Sequence, residues 1–148
     1  MFDDVNFAAL VEKYEQEAAD LHGSLPADNS VTKKELALVV SLSKGLSLGL
    51  LGQKNPTSKK VLGYFGGVVG CFCQFYEVPP ERNTDFLHAF FIGIFGSKDG
   101  YNLTNNFLYL HGQNDEETTL GTLEGIKAST SYWEDGNSKA FLGLSALD

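Results

Sequence analysis

The sequence predicts an all-α protein, a compact single-domain bundle of about six helices over residues 1–148 around a central hydrophobic helical hairpin at about 58–97. Apolar residues recur at spacings of three and four along most of the chain, the period of an amphipathic helix. Residues 61–76 and 86–97 contain no Asp, Glu, Lys or Arg, and six of the sixteen glycines and seven of the eleven phenylalanines fall between 61 and 97, which marks the centre of the core. No alternating run is long enough to suggest a strand ladder. A chain of 148 residues is one domain by size. It should bury roughly 68–70% of its unfolded surface. Its 43% apolar and 20% charged composition is that of a folded chain rather than a disordered one.

The first helix is read from Phe7, Leu10, Val11, Tyr14, Ala18 and Leu21, and it should stop before Leu25-Pro26. Thr32 and Glu35 form a capping box that opens a second helix through Leu36, Val39, Leu46 and Leu51, with Gly52 as its C-cap. Ser41, Gly45 and Gly49 lie on one stripe of that helix, which predicts a neighbour passing close to its backbone. The third helix runs over about 58–76. Its pairs Gly63/Gly67 and Gly66/Gly70 let a second helix approach closely, a device best known from membranes. Pro79-Pro80 interrupts, and Thr84 or Asp85 caps a fourth helix through Phe86, Phe90, Phe91 and Phe95.

A turn at 96–100 leads into a short fifth helix marked by Leu103, Phe107 and Leu110 and ended by Gly112. Asn114 and Glu117 read as a capping box for the sixth helix, which carries Leu120, Leu123 and Ile126 as its apolar residues. Residues 134–137 make a turn, and residues 139–147 form a last short helix that covers the core.

The central hairpin suits either a protein interior or a bilayer. A spanning helix needs about twenty apolar residues. Residues 61–76 supply sixteen, including Gln74 and four glycines, and 86–97 is shorter. The expectation is therefore an interior hairpin, with a membrane-active protein working through 61–97 as the alternative.

The net charge of −8 is uneven. Residues 1–28 hold seven acids against one lysine, 99–148 hold eight against two, and 29–98 hold four acids against eight bases. The bases lie scattered without aromatic platforms, which disfavours nucleic acid and favours a basic protein partner. Cys71 and Cys73 stand two apart on a helix and cannot pair there, so two free thiols point to a reducing, cytoplasmic setting. Met1-Phe2-Asp3-Asp4 lacks the basic character of a secretory signal.

No cofactor, metal or catalytic signature stands out. Cys71-Phe72-Cys73 has no second half for a zinc site. The glycines at 63–67 lack the preceding strand and the Gly-Lys-Ser/Thr of a phosphate loop. His88 with Asp85, and Tyr64 beside them, is the one arrangement from which a small enzyme or ligand-binding domain could be built. Tyr132, Trp133, Glu134 and Asp135 join large aromatics to carboxylates, a composition suited to a basic partner. Trp133 could instead anchor the C-terminal segment onto the core. Glu116 and Glu117 extend the acidic set. The functional expectation is a small acidic cytoplasmic protein-binding module, of the inhibitor, immunity-protein or chaperone-like adaptor kind, with a homodimer across the glycine stripes as a further possibility for partnering.

Overall fold

A computed structural model describes residues 4–147, with side chains over 8–147. The expectations for residues 1–3 and for the side chains of Asp4 and Phe7 lie outside the described residues. Every regular element among the described residues is helical, and no helix among them is long and apolar enough to cross a membrane.

The amino-terminal helix is divided into α1 (Asp4–Lys13) and α2 (Glu15–Ser24), where one was expected. Tyr14 between them leaves helical geometry at φ −112° and ψ 19°. Tyr14 N–H donates to Leu10 O at 3.0 Å and Ala18 N–H to Tyr14 O at 2.8 Å, so Tyr14 closes α1 and opens α2. The Tyr14 ring lies beneath Lys13 and Lys44, and Lys44 pairs with Glu17 at 2.9 Å.

Helix α3 (Lys33–Leu50) starts with the expected capping box: Glu35 N–H donates to Thr32 Oγ1 at 3.1 Å and Thr32 N–H to Glu35 Oε1 at 3.0 Å. Its close neighbour is the C-terminal 3-10 segment, Ala140–Ala146. A β-carbon on Gly49 would fall onto the Phe141 carbonyl oxygen and lie 3.1 Å from Leu144 Cβ. Phe141 and Leu144 are buried there, and Gln53 Nε2 donates to Leu144 O and Leu147 O at 2.8 and 2.7 Å.

Helix α4 (Lys59–Phe75) is capped by Ser58, whose Oγ accepts from Val61 N–H at 3.3 Å. A 3-10 turn, Pro80–Arg82, runs directly into α5 (Asn83–Phe95). Thr84 and Asp85 therefore lie inside α5 rather than capping it. Asp85 Oδ2 accepts instead from Ser30 N–H at 3.0 Å, tying α5 to the loop before α3. Gly96, at φ 90°, makes the whole corner to α6 (Ser97–Gly112), which replaces the expected five-residue turn. Gly100 packs so tightly on Ile92 that a β-carbon would strike the α5 backbone.

Helix α7 (Glu116–Glu134) is capped by Asp115, not Asn114: Asp115 Oδ2 accepts from Thr118 N–H at 3.0 Å. Asn114 sits at φ 53°, a conformation asparagine tolerates, and Asp115 N–H closes the end of α6 on Leu110 O at 3.1 Å. The residue expected to begin one helix thus ends the previous one.

Helix α4 is central. Its phenylalanines meet those of α5, with ring centroids 5.7 Å apart for Phe65–Phe91 and 5.2 Å for Phe72–Phe90. Phe107 of α6 sits over Gly66, leaving no room for a β-carbon there. The glycine-lined contact, however, is with α7 rather than with the hairpin mate α5. Gly63 and Gly67 face the carbonyl oxygens of Thr118 and Thr122, and Gly121 and Gly125 of α7 face those of Lys60 and Tyr64. A β-carbon at any of the four would collide with backbone. Leu120, Leu123 and Ile126, the apolar residues of α7, consequently point outward at 40–52% exposure, while Thr118, Gly121, Gly125 and Ser129 are buried. Thr122 and Ser129 hydroxyls donate to Thr118 O and Gly125 O at 2.9 and 2.8 Å, so the small face carries no unpaired hydroxyl from these two residues into the contact. The glycine stripes at Gly49 and Gly63/Gly67, expected as homodimer surfaces, are filled within the chain; Gly70 faces open space.

Candidate functional site

Helices α4 and α7 end side by side, and each contributes an aromatic residue to that end. Phe75, the last residue of α4, is 51% exposed and stacks on Trp133 in the last turn of α7, with centroids 5.5 Å apart and planes at 28°. Trp133 also meets Phe72 at 6.5 Å and Phe141 at 6.4 Å, and Tyr132 meets Phe141 at 5.0 Å. Trp133 and Tyr132 thus do anchor the C-terminal segment. The Trp133 indole also hydrogen-bonds Tyr76, whose hydroxyl is pushed up chiefly by burial, with the indole bond opposing.

Glu134 and Asp135 follow immediately and are exposed. Four of the six expected partner-binding residues, Tyr132, Trp133, Glu134 and Asp135, therefore lie at this end of α7, where Trp133 meets Phe75. Glu116 and Glu117 are exposed at the opposite end of α7. At 1.5 Å per residue they stand about 27 Å from Glu134, so the six do not form one patch. Near them Lys59 pairs with the Asp115 cap at 3.3 Å.

Phe75 was not foreseen as part of this surface. Its position continues the apolar stripe of Val68 and Phe72, and such a residue reads as core. Only the end of α4 at Tyr76, where the stripe outruns the body, leaves it half outside.

The residues weighed for chemistry are dispersed. His88 stacks on Tyr101 of α6, with centroids 5.1 Å apart and planes at 18°, and its Nε2 is buried without a hydrogen-bond partner. Burial holds its pKa below the ordinary 6.5, against the opposing pull of Asp85, the Thr84 backbone and Asp28. The Asp85 carboxylate is engaged by Ser30 N–H. Tyr64 packs against α7 at Gly125, with its hydroxyl buried and unpartnered. Cys71 and Cys73 are free, and burial pushes the Cys73 thiol up to about 12. Among the described residues no group of three His, Cys, Asp or Glu side chains is placed to hold a metal ion.

Comparison with protein-family models, curated proteins and solved structures finds no match for this chain.

Proposed function

We propose that the protein is a cytoplasmic protein-binding module of the inhibitor, immunity-protein or chaperone-like adaptor kind, and that it engages a basic partner through the shared end of α4 and α7. One observation carries this reading: the half-exposed Phe75 ring is held flat on Trp133 beside the exposed carboxylates of Glu134 and Asp135. A rigid aromatic pair offers contact area at little entropic cost, and adjacent carboxylates steer a cationic partner toward it. The acidic net charge of −8 supports the same choice of partner. The two free cysteines support a reducing compartment.

The test is affinity capture from the native host with wild-type protein and with Phe75→Ala and Glu134→Lys/Asp135→Lys variants. The reading expects one basic protein retained by the wild type, lost with either variant and released by raised salt. Retention unchanged by both variants, or indifferent to ionic strength, contradicts it.

A further inference from the structure

A second surface lies away from the aromatic end, where α2, α3 and α5 diverge around a cleft of about 740 Å³. Small-molecule sites commonly fall between about 300 and 1,000 Å³. Its floor is Leu21, Val40 and Ile92, and its rim along α3 is Leu48 and Leu51, which are 59% and 82% exposed. Exposed leucines beside a concave apolar surface are an unusual pairing for a solvated helix face.

One polar group in this cleft has no structural role. Ser43 is 7% exposed, and its Oγ is buried without a hydrogen-bond partner. Hydroxyls on other helices of this protein bond back to the carbonyl four residues earlier: Ser24 to Asp20, Thr104 to Gly100, Ser129 to Gly125 and Thr130 to Ile126, at 2.8–3.1 Å. Ser43 does not. Its Oγ faces Gly93 of α5 beneath Leu21: a β-carbon on Gly93 would lie 3.3 Å from Leu21 Cδ2 and 3.9 Å from Ser43 Oγ.

The mouth of the cleft holds three charged residues, Glu17, Asp20 and Lys44. Glu17 neutralises Lys44 at 2.9 Å. Asp20 Oδ1 accepts from the neutral Gln16 amide at 2.9 Å and has no cation beside it among the described residues. The lining therefore presents one uncompensated carboxylate and one uncommitted hydroxyl at one end, and two bare leucines at the other. Ser43 and Leu51, the residue that caps α3, are eight positions apart, about 12 Å along the helix axis.

We propose that this cleft binds an amphipathic amine whose ammonium group pairs with Asp20 and, with the Leu21 side chain turned aside, donates to Ser43 Oγ, while the hydrocarbon body covers Leu48 and Leu51. Such a ligand satisfies the orphaned hydroxyl, pairs the free carboxylate and removes the exposed leucines from water. A carboxylate-headed amphiphile would meet Asp20 with like charge.

Calorimetric titration of the full chain with decylamine, decanol and decanoate, each below its micelle-forming concentration, tests this. Decylamine should bind at least about fivefold more tightly than decanoate, the scale of a partly exposed ion pair. Asp20→Asn should bring decylamine down to the affinity of decanol and leave decanol unchanged. Leu51→Asp, a surface change that leaves the fold intact, should weaken decanol binding severalfold. No binding by any of the three, a preference for decanoate, or an amine affinity insensitive to both variants overturns the proposal.

Discussion

Arg82 lays its guanidinium across both carboxylate oxygens of Glu35, with Nη1–Oε2 at 3.0 Å and Nη2–Oε1 the shorter bond at 2.6 Å. The same side chain donates to Ser30 O at 3.0 Å and Ser30 Oγ at 3.1 Å, and it lies over the Phe86 ring. One residue of the α4–α5 connection thus clamps the start of α3. Glu35 serves that clamp and its own capping box together. Burial pushes its carboxyl up, but Arg82 and Thr32 outweigh burial and hold it below the ordinary 4.5.

Arg82→Lys keeps the charge and loses the two-pronged geometry. With Glu35 only 13% exposed, the loss should cost about 1–2 kcal/mol, a fall in melting temperature of roughly 3–6 °C. Thermal unfolding by circular dichroism measures it, and an unchanged midpoint removes the clamp from the account.

His88 should make the fold sensitive to mild acid. Its folded pKa lies below the ordinary 6.5, so the unfolded chain takes up the proton first. Stability is complete above 6.5 and is lost as pH falls below it. Urea midpoints at several pH values, for wild type and His88→Gln, check this: the variant should show a flatter profile over that window. Parallel profiles contradict it. Glu35 has linkage of the same sign, contributing above 4.5 and losing its contribution as pH falls through its lowered value, but it acts in a separate, more acidic window.

Trp133 and Phe75 touch but should separate on mutation. Trp133 reaches the buried Phe72 and Phe141, so Trp133→Ala should cost about 2–3 kcal/mol. Phe75 is half outside, and Phe75→Ala should cost less than about 1.5 kcal/mol while removing the partner-binding surface. Equal melting-temperature losses for the two variants would assign both rings to the core.

Cys73 is buried with its thiol pushed up to about 12, and burial also raises Cys71 despite a hydrogen bond with Ser129. Alkylation at pH 8 should therefore be slow at both, and Cys73 should react only on unfolding. Timed mass spectrometry reads this out. Rapid labelling of Cys73 in the native protein contradicts the packing of α4.

The legible parts of this fold were those governed by local chemistry. The Thr32–Glu35 box, the Ser58 start of α4 and the break at Pro79-Pro80 depend on residues within one turn of each other. Partner choice between helices was not local. The sequence marked Gly63 and Gly67 as a close-approach surface, but α4 has two neighbours, and the hairpin mate α5 offers phenylalanines where α7 offers Gly121 and Gly125. Hydrophobic periodicity then misled on α7, because a backbone-to-backbone contact is built from small residues and turns Leu120, Leu123 and Ile126 outward. The Asn114–Glu117 pattern failed for another reason: Asn114 was needed at positive φ to end α6, so Asp115 became the cap. Of the candidate site, Tyr132 to Asp135 could be read as a run, while Phe75 could join them only in three dimensions.

The reciprocal glycine contact between α4 and α7 is the centre of the structure, and Gly63→Ala and Gly70→Ala test it side by side. Both positions lie in α4, but a β-carbon at Gly63 would enter the Thr118 backbone and one at Gly70 meets nothing within 4 Å. Chemical denaturation should show Gly70→Ala more stable by about 0.5–1 kcal/mol through helix propensity alone and Gly63→Ala less stable by at least about 2 kcal/mol through forced separation of the helices. Two variants that shift together in the stabilising direction would mean that the α7 backbone does not pack on α4 at Gly63.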